Sequence, residues 1–377
     1  MADRYNLVNE RNPGRDFSVL RESTEETGTR MASRKRTMGQ NRGSSWGRTL
    51  LAVFLLALLA AAGAAAYVVL SPFGPQQETF LEVLPGSSTV RIGRQLEESG
   101  IVRSQYAFDA MRWMQHGTLK AGDYRFDHPA PVSEVYDRIR RGDVYTISVT
   151  VPEGSNMFDI GAKLEQAGFG PRQKFVDVAR QEAGLVADLD PQAKTLEGYL
   201  FPDTYKIGPK EEMPVIVATM VKRFRQAAEQ IGLQHDFHSV VTMASLVERE
   251  TALDNERPLV ASVFANRLEK SMPLMTDPSV IYGLELQNQW RGTIYASDLQ
   301  RDTPYNTYIH PGLPPGPIAN PGVKSLKAAM APAQTNYLYF VAASQNPQGK
   351  SLFASTLEEH NKNVAGYRDA MKKAGPQ

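Results

Sequence analysis

The 377 residues include no cysteine, which excludes disulfides, thiolate nucleophiles and thiolate metal sites. Histidine is scarce too. Only six occur, none in an HExxH or comparable ligand pair, so neither a metal nor a cofactor is expected. A charge of one sign is also missing: the formal total of +1 is uninformative, and no nucleic-acid partner is expected. What is present is ordinary apolar and aromatic content, 42% and 9%, enough for real cores over about two or three domains.

The distribution of charge says more than its sum. Arg30, Arg34, Lys35, Arg36, Arg42 and Arg48 form a basic run within a polar stretch, residues 1–48, that has no sustained apolar period and reads as a flexible tail. From Thr49 to Leu70 the sequence TLLAVFLLALLAAAGAAAYVVL carries no charge and is long enough to span a bilayer core, so a transmembrane helix is expected over 49–70. The basic residues before it predict a cytoplasmic N-terminus, with everything after Ser71 outside. A cleaved signal peptide is the competing reading, but the run starts near residue 50 and continues through Tyr67, Val68, Val69 and Leu70, which favours an anchor.

Beyond a short linker the chain repeats itself. VLPGSSTVRIGRQLEESG (residues 83–100) and TVPEGSNMFDIGAKLEQAG (150–168) align Gly86-Ser87 with Gly154-Ser155, and Ile92, Gly93, Leu96, Glu97 and Gly100 with Ile160, Gly161, Leu164, Glu165 and Gly168. Each copy predicts a short strand, a Gly-Ser turn whose serine caps a helix, and a glycine that stops it. The first copy continues through an aromatic helix (Tyr106, Phe108, Met111, Trp113), a strand with Tyr124 and Phe126, and an amphipathic helix to Gly142. Such α+β units resemble LysM-like modules, which in general bind glycan; packing alone would produce the same pattern.

The stretch that organises the rest is MASLVERETA, Met243–Ala252. As a helix it puts Val240, Met243 and Val247 on one buried stripe, with Glu250 continuing its edge and Glu248 round the side near Val241 and Ser245. A carboxyl at an apolar edge loses hydration, which raises its pKa towards the range of a general acid. The pattern alone also allows both glutamates to be solvated charges near a helix end. Upstream, LEGYLFPDTY (196–205) offers Glu197 and Tyr199, either as part of a glycan cleft or as a connection pinned to the core by its aromatics. Met213–Leu233 reads as an amphipathic helix leading into this region. Downstream come a helix over Arg257–Leu268, the Asp277-Pro278 helix start in LMTDPSVIYG, and the long loop TPYNTYIHPGLPPGPIANPG (303–322), read as a cleft wall. A helix at Ser325–Met330, strands at Tyr337–Val341 and Ser351–Phe353 and a polar helix from Thr356 close the chain, with His360 read as a surface residue.

Together, LEGYLFPDTY, MASLVERETA, TDPSVIYG, TPYNTY and GLPPGPIANPG occur in the order found in the endolytic murein transglycosylases, the YceG-like membrane-anchored enzymes of bacterial cell-wall growth. The chain resembles that family over nearly everything after the tail. One departure is Met275, where a glutamine would be expected before Thr276. The resemblance implies an α+β fold: a transmembrane helix, LysM-like module(s), then a mixed α/β catalytic domain with a lytic-transglycosylase-like helical active site. The corresponding division is a tail (1–48), an anchor (49–70), a LysM-like module (78–147), a second related segment (148–232) and a catalytic domain (233–377).

Lytic transglycosylases in general carry a catalytic glutamate followed by Ser or Thr, and Glu250-Thr251 fits where Glu248-Arg249 does not. The implied reaction is endolytic cleavage of the β-1,4 MurNAc-GlcNAc bond of nascent strands with 1,6-anhydromuramyl ends, terminating strand elongation. Asp277 is the best available second acid, as cap or substrate orienter. Tyr282, Tyr305, Asn306 and Tyr308 are candidates for the cleft lining, core tyrosines being the alternative. The implied partners are peptidoglycan glycan strands, the inner membrane and peptidoglycan synthases of the elongation or division machinery. Two other readings stand beside this one: a hydrolytic muramidase using Glu250 and Asp277, and a catalytically inactive membrane-tethered glycan-binding scaffold.

Overall fold

The computed structural model describes residues 45–343 and 350–374. Helix α1, Ser45–Leu70, starts four residues before the uncharged run. Among the described residues it is the one helix long and apolar enough to cross a membrane. The expected tail lies, up to residue 44, outside the described residues.

The sequence repeat becomes a repeated β-α-α-β unit. In the first, β1 (Thr79–Val83), α2 (Thr89–Glu98), α3 (Gln105–Gln115) and β2 (Gly122–Phe126) end in an antiparallel pair with Leu81 opposite Tyr124, and α4 (Val132–Arg141) follows. In the second, β3 (Ile147–Thr150), α5 (Met157–Gln166), α6 (Arg172–Gln181) and β4 (Thr204–Ile207) pair with Val149 opposite Tyr205.

The turn glycines Gly86 and Gly154 hold φ of +77° and +78°, backbone that a side chain would strain. The caps sit one residue later than expected: Ser88, not Ser87, caps α2, and Asn156, not Ser155, caps α5. Ser155 instead turns its backbone to the downstream loop, its carbonyl accepting from Asn320 N and Nδ2 at 2.9 Å each. Gly93 and Gly161 do the same work in both copies. A Cβ there would lie 3.3 Å from Gln105 O or 2.9 Å from Arg172 O, so each glycine admits the start of the next helix.

The remaining chain adds α7 (Met213–Ile231), α8 (Phe237–Glu250), α9 (Arg257–Glu269), α10 (Asp277–Leu286), α11 (Val323–Met330), the antiparallel pair β5 (Tyr339–Ala342) and β6 (Ser351–Ala354), and α12 (Leu357–Ala374). One apolar core lies within the first repeat, from Leu81 to Ile139. A second runs from Val149 to Ala328 and takes in partly buried Phe340 and Phe353, so the second repeat shares its interior with everything downstream.

Helix α8 is the axis of that larger core. Val241 to Val247 are all buried, which is wider than the single stripe expected from spacing. The width comes from a loop segment, Gly316–Gly322, that is itself buried against the helix. Its backbone is satisfied by side chains, as a buried loop requires: Ile318 N donates to Ser245 Oγ at 3.1 Å and Gly322 N to Glu248 Oε2 at 2.9 Å. Asn320 N donates to Ser155 O, and Gly154 N returns a bond to Asn320 O, both 2.9 Å. This part of the long loop is an internal brace rather than the expected cleft wall.

Candidate active site

Thr251 ends α8 by turning to an extended backbone, φ −142° and ψ 134°. Its hydroxyl accepts from Leu253 N at 3.1 Å and donates to Glu256 Oε2 at 3.4 Å. Buried Glu256 also accepts from Ser351 N and Oγ at 2.6 and 2.8 Å, tying the helix end to β6. The threonine after the glutamate thus fixes where the helix stops, and Glu250, the last helical residue, is held at the edge of a cleft of about 510 Å³.

Glu250, Arg267, Met275, Asp277, Tyr308 and His360 supply the polar and flexible wall of this cleft, with Phe264, Tyr339 and Phe340 behind them. The Glu250 side chain is only partly exposed and makes no hydrogen bond to any described residue. Burial pushes its pKa up to about 7, the Asp277 charge adds to the rise, and Arg249 and Arg267 oppose it. Asp277 is exposed at the first turn of α10 and accepts from Tyr308 Oη at 2.6 Å. Burial raises the Tyr308 phenol and its bond to Asp277 raises it further, so Tyr308 stays a donor at neutral pH. Arg267 is anchored by the carbonyls of Leu338 (2.7 Å), Leu274 (3.0 Å) and Pro273 (3.2 Å) and lies over the Tyr339 ring, 5.2 Å from its centroid. A protonated carboxyl beside a fixed cation and an oriented carboxylate can donate a proton and afterwards hold negative charge.

Of the residues expected to line the cleft, the structure brings Glu250, Asp277 and Tyr308 together. The others go elsewhere, for physical reasons. Glu197, 2% exposed, accepts from Met157 N (3.0 Å) and Asn320 Nδ2 (2.8 Å), and burial pushes its pKa up to about 8. Tyr199 is fully buried, donates to Asp190 at 2.6 Å and packs edge-on to Phe224. Neither offers surface to a sugar. Tyr282, 2% exposed, packs against Phe158 and Tyr305. Tyr305 is partly buried and contributes to the same stack, 5.1 Å between centroids. Asn306 is buried and braces its own loop, donating to Leu299 O and Arg301 O and accepting from Tyr308 N. It positions Tyr308 without touching the cleft.

Glu248, the other acid of the motif, is paired. Its side chain, 5% exposed, binds Arg257 Nη2 at 2.9 Å and Gly322 N at 2.9 Å, which makes it a tie between α8, α9 and the buried loop. Sequence reasoning missed Arg267 and did not place His360 at the cleft. His360 is partly buried on the cleft wall, stacked on Tyr339 with 5.1 Å between centroids, and burial lowers its pKa. The four-residue spacing of α12 gave no sign of this, because the β5 strand it packs on is remote in sequence. Met275, 50% exposed, adopts φ +54° on the wall, where its N–H donates to Thr307 O at 3.1 Å. Among the described residues no group of His, Asp and Glu is arranged to hold a metal ion.

These features define an open cleft with a carboxyl, Glu250, at the end of a buried helix and a second carboxylate, Asp277, on its wall. Comparison with known proteins gives the family. The model of the YceG-like family matches residues 81–366, and the chain belongs to that family. It is 32% identical over 308 residues to an endolytic murein transglycosylase of Bacillus subtilis, covering 76% of this chain and 84% of that one. It is 28% identical over 351 residues to an endolytic murein transglycosylase of Streptococcus pneumoniae, covering 83% of this chain and 63% of the relative. The crystal structure of a YceG-like protein from Listeria monocytogenes aligns with a TM-score of 0.50 at 30% identity, over 76% of this chain and 99% of that one.

Proposed function

We propose that the protein is an endolytic peptidoglycan lytic transglycosylase with Glu250 as its acid and base. The observation that carries the assignment is a carboxyl with no protein partner among the described residues, at a fixed helix end in the cleft, whose pKa of about 7 leaves it substantially protonated at neutral pH. Protonated Glu250 donates to the glycosidic oxygen as the C1–O bond of the muramyl unit breaks and positive charge develops on the ring. The resulting carboxylate, with Asp277, faces that charge and then takes the proton from the muramyl C6 hydroxyl. The C6 oxygen closes on C1, giving a 1,6-anhydro ring and restoring the acid. One carboxyl suffices for both transfers.

Asp277, held by Tyr308, orients the sugar, and Arg267 supplies a fixed positive charge on the cleft wall. A hydrolytic muramidase is the second reading, and the Asp277 charge acting on Glu250 favours it, since two nearby carboxyls are what a water-using glycosidase needs. Mass spectrometry of digested peptidoglycan separates the two. We expect anhydromuramyl ends from the wild type and a rate at least about a hundredfold lower for Glu250→Gln. Reducing muramyl ends in their place would establish the muramidase, and full cleavage by Glu250→Gln would remove Glu250 from the mechanism.

The finer organisation follows the same reading. The β-α-α-β unit at 78–147 is a LysM-like module that guides the strand, the related segment 148–232 is built into the catalytic part at 233–377 through the shared core, and α1 anchors the chain in the bacterial inner membrane with its N-terminus cytoplasmic. Cleavage near the membrane then falls on nascent strands, ends their elongation and acts alongside peptidoglycan synthases.

A further inference from the structure

A second cavity, of about 320 Å³, lies on the second repeat and is lined by Phe158, Asp159, Arg172, Glu285, Asn288 and Trp290. The mechanism above uses none of these residues. Helix α10 joins the two places: Asp277 at its start lines the catalytic cleft and Glu285 near its end lines this cavity. Eight residues of helix put about 12 Å between those two backbone positions. Exposed Arg249 donates to Gly154 O at 3.1 Å, and its charge acts on both Glu250 and Glu285.

The chemistry of the wall is that of a sugar subsite. Trp290 is partly exposed, and its indole has no ring partner and no hydrogen bond among the described residues. An apolar face with an unused N–H donor is what a pyranose stacks on and bonds to. Glu285 accepts from Asn156 Nδ2 at 2.6 Å through Oε2 alone, which leaves Oε1 for a hydroxyl or an amide N–H. Arg172 is exposed at the start of α6, its guanidinium 5.8 Å from the Phe158 ring, where it can meet the carboxylate of a lactyl group or stem peptide.

We infer that this cavity is a distal subsite for an N-acetylhexosamine unit of the same glycan strand whose scissile bond lies at Glu250. The inference rests on the glycan-cleaving reading of the cleft. It makes Trp290 the stacking platform and Arg172 a contact to the acidic substituent, and it makes binding depend on chain length.

The test uses full-length protein in detergent carrying Glu250→Gln, so that strands bind without turnover, and purified uncrosslinked glycan oligosaccharides of graded length. Affinity is expected to rise with length until a strand reaches the cavity. Adding Trp290→Ala should weaken long strands by about five- to tenfold and abolish the length increment, consistent with the loss of one aromatic contact. Arg172→Ala, at an exposed position, should lower the same increment, and thermal melts identify any variant that fails to fold. Equal affinity of the Trp290-intact and Trp290→Ala, Arg172→Ala proteins for long strands overturns the subsite alone. Absence of any glycan binding by the Trp290-intact protein overturns the subsite together with the glycan reading of the cleft.

Discussion

Glu248 and Glu250 both leave α8 near its end, and the one that is paired is not the proposed acid. Glu248 is matched by the Arg257 guanidinium and a backbone N–H, while Glu250 has neither and opens on the cleft. Replacing them should therefore have opposite signatures. Glu248→Ala takes the buried carboxylate from Arg257, 6% exposed, leaving it with Asp254, Glu153 and the Ser325 hydroxyl, and should cost about 3 kcal/mol in urea unfolding. Glu250→Gln should leave stability near wild type while activity is lost. The pH profile follows from the raised pKa. The acid must be protonated, so kcat/KM should fall as pH rises through about 7. Asp277 holds that pKa up, after burial, so Asp277→Asn should move this limb to lower pH; an unmoved limb would separate Asp277 from Glu250.

At the scale of elements, α8 works because other segments come close to it. Gly198, in LEGYLF, has φ +88°, and a Cβ there would stand 2.5 Å from Pro317 and 2.8 Å from Val241. This one glycine brings the upstream motif, the buried loop and α8 into contact. Gly198→Ala should cost about 3 kcal/mol by urea unfolding, from overpacking together with left-handed backbone. A neutral result would mean that the loop can move away from α8 without loss. Glu197 beside it, bonded to Met157 N and Asn320, explains an acid in a core: it satisfies the start of α5 and the loop amide together.

For the whole molecule, the anchor and the remainder carry separable properties. Deleting residues 1–62 removes most of α1 and retains Val68 and Val69, which pack against the first repeat's core. That protein should pass to the aqueous phase on cell fractionation and give the same product ends as the full chain. Retention in the membrane would show that a surface beyond α1 binds lipid. The first repeat encloses its own core, whereas the second is continuous with α7 to α11. The repeat in the sequence is thus genuine in local fold, but its two copies have different fates: one closes on itself and the other becomes a wall of the catalytic part.

Local chemistry was enough for the sequence to determine a helix long and apolar enough to cross a membrane, the repeated α+β units, most helix limits and the end of α8 at Glu250-Thr251. Each rests on spacing, caps or an uninterrupted apolar run, which act within a few residues. What tertiary structure alone decided was which polar side chains reach the cleft. Tyr282, Glu197 and Tyr199 turn inward because Phe158, Asn320 and Phe224, each far away in sequence, cover or satisfy them, and Asn306 turns inward to brace its own loop, while Arg267 and His360 turn to the cleft because β5 lies across α9 and α12. The proposed role of an acid depends on what surrounds it in space, and for Glu250 that is a side chain without a partner among the described residues, which no spacing in the chain encodes.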